Sequence, residues 1–208
     1  MSTYLGLDVL DVLEPSREGT IPETVDQRLV VLDNGVGLIT VDDKAGMPNP
    51  VRSFLWLAEG RTETAAMRAF ILARYGRTVP FWMPSYQHDL LLSEDILNGA
   101  SSATIRWVGY TNQMWSKGGG RRYIALWQPG VAALSFHHVT TARDPGTFTT
   151  EGLSLSPAVG RLWPAATTLV MFLKLCRLEN DRNVLSWHNA GKCSVSLDVR
   201  ELPQEAAL

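Results

Sequence analysis

Charge is in short supply. Asp, Glu, Lys and Arg make up 19% of the 208 residues against 45% hydrophobic residues, where an ordinary soluble domain carries about 25% charge. The shortage points to surface that something else covers. The formal net charge is only -2, which argues against a dedicated nucleic-acid binder with its basic face. A local basic patch, such as "KGGGRR" at 117–122, is compatible with that balance. Cysteine is scarcer still: Cys176 and Cys193 are the whole supply, too few for a disulfide framework, and their apolar, strand-like surroundings predict buried thiols. Long apolar runs are missing too. The longest, "TTLVMFLKLC" at 167–176, is broken by Lys174 and falls short of the about 20 residues that span a bilayer. The opening "MSTYLGLDVLDVLEPSREG" has no basic n-region and carries acids inside its apolar pattern, unlike a secretory signal. These features predict a chain made and folded in a reducing cytoplasm, with no membrane segment.

What is present is mostly strand. "DQRLVVLDNGVGLITVDD" (26–43) places two β-rich runs around Asn34-Gly35, a pair that supplies the positive φ angles of a hairpin turn. After the loop "GMPNP" (46–50), "VRSFLWLAE" (51–59) sets Val51, Ser53, Leu55 and Leu57 against Arg52, Phe54 and Trp56. Its end is apolar on both faces, which predicts a sandwiched strand. Thr62 to Tyr75 is the best helix, with Thr62 or Thr64 as cap, Glu63 in the first turn, and Gly76 as the stop. Ala66, Ala69, Phe70 and Ala73 form the face expected to lie on a sheet. Strands are predicted at 89–92, 103–110, 121–130, 131–141, 146–156, 167–179 and 192–203. The last alternates Cys193, Val195, Leu197 and Val199 with Ser194, Ser196, Asp198 and Arg200. The tail "QEAAL" is expected to be loose. Neither a repeat nor a linker appears, so the reading is a β-rich α+β chain: antiparallel sheets, sandwich or barrel-like, with one main helix at about 62–75. It is a single domain, divided at most softly near Asn98 into lobes 1–97 and 98–208.

Chemistry-bearing motifs are weak. His88-Asp89, His137-His138 and His188 lack the spacing to a cysteine or carboxylate that a metal site requires. No Gly-x-Ser-x-Gly elbow occurs, and Ser85 after Pro84 is a turn former. Asp42-Asp43 and Glu94-Asp95 fit solvated turns better than a glycosidase pair. "KGGGRR" has the glycines of a phosphate loop without its Lys-Ser/Thr ending, and a hairpin tip explains it better. Seven tryptophans, at 56, 82, 107, 115, 127, 163 and 187, raise a sugar-stacking possibility, yet most lie in apolar strands where core or interface is the commoner role. Abundant tryptophan, with arginine, against low charge also fits surface committed to protein partners.

The segment "RYGRTVPFWMPSYQHDLLLS" (74–93) carries two prolines, four aromatics and a His-Asp pair between a helical run and an apolar one. The order "RSFLW" (52–56), an alanine-rich helix ending "LARYGR" (72–77), then "PFWMPSYQHDLLL" (80–92) resembles tail-tip proteins of long-tailed bacteriophages and their relatives in gene transfer agents. "EGLSLSPAVGRLWP" (151–164) and "SVSLDVRELPQE" (194–205) resemble the second half of those proteins. The likeness covers most of residues 28–205. It implies a distal tail protein: a virion component that forms a closed ring, hexameric by analogy, joining the tail tube to the baseplate hub, with the tape measure protein as a further partner. No enzymatic activity, cofactor, metal or specific nucleic acid is implied. Phe81, Trp82, Met83 and Tyr86 in the corner, with Trp115, Arg121 and Arg122, are the candidate interface residues. Pro80 and Pro84 hold the corner rigid, and consecutive residues of an extended chain point opposite ways, so Phe81 is expected in the core and Trp82 against a neighbour. The rival readings are a cell-wall hydrolase using His88, Asp89, His137 or His138, and a carbohydrate-binding accessory module.

Overall fold

Alternation of side chains along β-strands decides most of this architecture. A computed structural model describes residues 2–11, 15–16, 22–26, 29–32, 40–43, 49–117, 121–129, 131, 133–189 and 191–202. In chain order the strands are β1 (Thr3–Tyr4), β2 (Leu7–Asp8), β3 (Glu23–Asp26), β4 (Leu29–Leu32), β5 (Thr40–Asp43) and β6 (Asn49–Glu59). The helix α1 (Gly60–Ala73) follows, then β7 (Phe81–Pro84), β8 (Ser102–Arg106) and a π-helical turn, Thr111–Trp115. The remaining strands are β9 (Tyr123–Gln128), β10 (Ala133–Arg143), β11 (Thr150–Ser156), β12 (Leu169–Leu178), β13 (Val184–Asn189) and β14 (Lys192–Glu201). Among the described residues strand accounts for 49% and helix for 13%, in antiparallel sheets that do not close into a barrel. The β-rich α+β class expected from the sequence is the observed one.

The chain forms two compact units, one of Met1–Asp11, Trp82–Leu175 and Ala206–Leu208, the other of Val12–Phe81 and Cys176–Glu205. The soft boundary expected near Asn98 falls inside the first unit. Long-range pairing overrides sequence proximity here: the C-terminal strands return to pair with β6, so each unit is discontinuous in sequence.

In the first unit, β8, β11, β10 and β9 pair in that spatial order, and Leu169–Phe172 of β12 pairs with β9. Their inward side chains, among them Ile105, Ile124, Leu126, Leu153, Leu155 and Phe172, close a core with Tyr110 and Trp163. β12 is buried along nearly its whole length, which is why its sequence shows an apolar run instead of alternation. Residues 89–92 do not form the strand expected of them. Leu90 and Leu92 make only single bridges, to Val170 and Ile105, because Asp89 ties the segment down by accepting from Phe172 N at 2.7 Å.

In the second unit, β14 is central. It pairs with β6 along Lys192–Arg200 on one side, and on the other with β13 and with Cys176–Leu178 of β12. β3 pairs with β6. Cys193, Val195, Leu197 and Val199 are buried as their alternation predicts, and both cysteines are buried thiols. On β6, however, only Phe54, Trp56 and Ala58 go inward. Leu55 and Leu57 are 43% and 44% exposed, so the strand is not sandwiched within this chain. β4 and β5 pair antiparallel as the hairpin reading requires, while Asn34-Gly35 lies outside the described residues. Most of "GMPNP", the glycines of "KGGGRR", and "QEAAL" also lie outside them.

The helix differs from expectation at its start and on its buried face. It begins at Gly60, held at φ 87°, and neither Thr62 nor Thr64 caps it. Glu63 reaches back to the amide of Glu59 at 2.7 Å, and Thr64 donates to Gly60 O at 2.9 Å. Thr64, Met67 and Phe70 are the buried face, not the alanines: Ala66 is half-buried, and Ala69 and Ala73 are exposed. Starting the helix at Gly60 does not change residue spacing; the larger Met67 and Phe70 simply take the core side, as the free energy of burying apolar area favours. Phe70 meets Phe81 edge to face at 5.1 Å, and the Arg74 guanidinium lies 4.8 Å over the Phe70 ring. The chain then reverses through Tyr75 and Gly76, at φ 48° and 65°.

Candidate functional site

Prolines at 80 and 84 restrict the backbone on both sides of Phe81-Trp82-Met83. All four residues of β7 are buried. Trp82 is 1% exposed, which corrects the expectation that it faces a neighbour. Successive side chains do point to opposite sides, but both sides are covered. Trp82 Nε1 donates to Tyr4 O at 3.0 Å, and Leu10 N donates to Trp82 O at 2.8 Å. The Trp82 ring lies 4.8 Å from Tyr123 and 5.8 Å from Tyr4. Tyr4 also touches Phe136 at 5.7 Å, and Tyr123 stacks on His138 at 4.9 Å and 26°. The N-terminal strands, outside the segments that carry the family resemblance, therefore help to seal this tryptophan into a five-ring cluster. Burial, with the neighbouring Tyr123 adding to it, pushes the Tyr4 hydroxyl up to about 12. Burial lowers the His138 pKa, and the Arg122 charge lowers it further.

The other candidate residues are also engaged within the chain. Met83 is buried. Tyr86, at φ 55°, donates its hydroxyl to Leu10 O. Ser85 donates to Asp89 through its hydroxyl and to Phe172 O through its amide at 2.9 Å. The aspartate of the His-Asp pair is thus a corner brace, and His88 is exposed. Trp115 Nε1 donates to Val139 O at 3.1 Å, with Arg122 4.9 Å over its ring. Arg121 lies 5.0 Å over Phe172, and its carbonyl accepts from the Tyr110 hydroxyl at 2.8 Å. Trp82, Met83, Tyr86, Trp115, Arg121 and Arg122 all belong to the first unit and Phe81 to the second. They do not form one exposed patch.

Of the residues proposed for a hydrolase, His137 is buried. Pro157 O accepts from its Nδ1 at 2.8 Å, which leaves Nε2 to accept from the Ser135 hydroxyl at 2.8 Å. Burial lowers its pKa, partly opposed by that carbonyl. Among the described residues, no three of His, Cys, Asp and Glu gather as metal ligands, and no helix is long and apolar enough to cross a membrane.

Two features escaped the sequence reading. Glu151 is fully buried and accepts from Val108 N (3.1 Å), Tyr110 N (2.9 Å), Thr111 N (2.6 Å) and the Thr111 hydroxyl (2.6 Å). Burial would raise its pKa, but the Thr111 hydroxyl and the three amides outweigh burial and hold it below the ordinary value. Its signal was in phase with the core: Glu151, Leu153 and Leu155 occupy the inward positions of one strand, where an acid stays only if it is fully bonded. The second feature is exposed apolar surface at Leu55, Leu57, Val184 and Trp187 in one unit and at Trp107 and Phe148 in the other. No protein-family model matches the chain, and no curated protein sequence matches it.

Proposed function

We propose that the chain is a structural subunit of the tail tip of a long-tailed bacteriophage, a distal tail protein that closes into a ring between tail tube and baseplate hub. The observation that carries this reading is the outward face of β6, β14 and β13. Strand register aligns Leu55 with Ser196 and Val184 in one row, and Leu57 with Ser194 and Ser186 in the next. Val184 is 52% exposed, and Leu55 and Leu57, across β14 from it, show nearly half their surface. Neither row contains a charge, and among the described strands β13 pairs with β14 alone. Two uncharged rows beside an open strand edge, flanked on the same face by the Glu59–Lys192 ion pair and Asp198, are a template for another chain.

A second copy of the chain is the occupant that this surface fits. Head-to-tail contact between copies is heterologous, and a heterologous contact that closes makes a ring. The strand–helix–strand order of β6, α1 and β7 runs through the segments "RSFLW", "LARYGR" and "PFWMPSY" that resemble tail-tip proteins, which supports the same reading. The reading contains no catalytic step and no cofactor, and it places the protein in the virion, with tail tube, hub and tape measure proteins as neighbours.

Native mass spectrometry of the purified protein, alone and co-expressed with the tail tube and hub proteins, tests this directly. The expected result is a closed oligomer that Leu57→Glu and Val184→Glu abolish while the circular dichroism spectrum stays that of the parent. A protein that stays monomeric at high concentration and joins neither partner overturns the proposal.

A further inference from the structure

In the first unit, the loop after β8 meets the loop between β10 and β11. Trp107 and Phe148 stand there with their rings edge to face at 5.1 Å and 78°, and Phe148 is 70% exposed. Phe148 is also held at φ 57°, a conformation strained for a bulky side chain and readily met by glycine. A large apolar side chain that is both strained and solvent-exposed gives the fold little in return. Strain of this kind gathers at sites where a group must be held ready for a ligand.

The surroundings are organised around one carboxylate. Asp144 Oδ2 accepts from Trp107 Nε1 at 3.2 Å and from Asn112 Nδ2 at 3.3 Å, while Oδ1 accepts from Gly146 N at 2.8 Å. Trp107 N donates to Thr149 O at 2.9 Å, and the Thr147 and Thr149 hydroxyls bond each other at 2.8 Å. A carboxylate offers about four acceptor sites, so Asp144 keeps room for a hydroxyl after its three donors. The exposed Phe148 ring, braced edge-on by Trp107, stands beside a partly engaged carboxylate and two hydroxyls, so an apolar ring face adjoins hydrogen-bonding groups. That combination matches a pyranose, whose C–H face is apolar and whose rim is hydroxyl. A cationic ligand fits less well, because Arg106 and Arg143 are exposed at the ends of the strands leading into these loops.

We infer that the Trp107–Phe148 corner binds a hexose unit of a neutral polysaccharide, with the sugar ring stacked on the exposed Phe148 ring beside Trp107 and a hydroxyl donating to Asp144. The site is shallow, so each copy binds weakly. The inference stands apart from the assembly reading, whose residues lie in the other unit.

Saturation-transfer NMR with maltohexaose, cellohexaose and chitohexaose as probes tests it, with melting temperature and oligomeric state measured on the same samples. At least one probe should receive saturation at its ring C–H protons. Phe148→Gly relieves the backbone strain, so it should hold or raise the melting temperature while weakening sugar binding by about ten-fold or more. Asp144→Asn should weaken binding as well, and Trp187→Ala, which removes an exposed tryptophan of the other unit, should leave it unchanged. Absence of transfer to all three probes overturns the inference. So does binding that survives Phe148→Gly. Loss of oligomer in Phe148→Gly with no sugar effect assigns the corner to a protein contact, which overturns it too.

Discussion

Replacing Glu151 with glutamine changes one oxygen into an NH2 group and leaves shape and volume almost intact. The consequences follow from the four donors that converge on the carboxylate. If the new NH2 takes the Oε1 position, it faces two backbone amides that can only donate. If it takes the Oε2 position, the Thr111 hydroxyl can turn to accept, but Thr111 N is left without an acceptor. The second arrangement is cheaper, and an orphaned buried N–H still costs about 1–3 kcal/mol. The bonds from Val108 and Tyr110 also lose charge assistance, about 1 kcal/mol each. The variant should therefore lose about 3–5 kcal/mol at pH 7, and at about 2–4 °C per kcal/mol for a chain of this size its melting temperature should fall by roughly 6–20 °C.

The pH dependence supplies a second readout. The folded pKa of Glu151 lies below its ordinary 4.5, so the folded state binds this proton less readily than the unfolded chain does. The stability it contributes is fully present above pH 4.5 and is lost as pH falls through the folded value. Urea denaturation of parent and variant between pH 7 and pH 3 should show a gap that is full at neutrality and narrows in acid, where a protonated Glu151 resembles glutamine. A gap at pH 7 within about 0.5 kcal/mol, the range of an ordinary surface substitution, refutes the reasoning. So does a gap that ignores pH.

The helix predicts a contrast within two adjacent residues: Phe70→Ala should cost about 3–5 kcal/mol, and Ala69→Leu, on the exposed side, should stay within about 0.5 kcal/mol in the same urea titration. Trp82→Ala should destabilise the isolated subunit by about 3–5 kcal/mol, so its defect should appear in calorimetry of the subunit before any assembly assay. His137 has a folded pKa below 6.5, so its contribution to stability is present above that pH and declines as pH falls. An NMR titration of the imidazole should place its midpoint below 6.5, and a midpoint above 6.5 would contradict the buried geometry.

Much of the fold was legible because strand alternation is local. Cys193, Val195, Leu197 and Val199 announced their inward positions, and the class followed from many such stretches. The helix was legible as a helix but not in its facing. Alanines can lie against a sheet or face water, and the choice went to Met67 and Phe70, whose greater apolar area gains more from burial. β13 was not anticipated, since "VLSWHN" has no clean apolar phase and is held by its pairing with β14. The corner at 80–86 was recognised as rigid and aromatic, but its exposure was misjudged because the rings against Trp82 come from the distant Tyr4 and Tyr123, themselves backed by Phe136 and His138.

The sequence by itself determined the β-rich class, the placement of most strands, the helix between β6 and β7, and the burial of both thiols. Each depends on residue type and on spacing within a dozen positions, where side-chain direction repeats with a fixed period. Only the tertiary structure decided which of two apolar faces is covered. Leu55 and Phe54 are equally apolar neighbours, and nothing local states that one meets a core and the other solvent. The same holds for Trp82 and Trp107, one sealed and one exposed, and for Glu151, whose four donors gather only when β11 carries the carboxylate to the 108–111 loop. Burial is a property of what the rest of the chain brings to a residue, and those partners can lie 143 positions away, as Leu197 does from Phe54 on the paired strand.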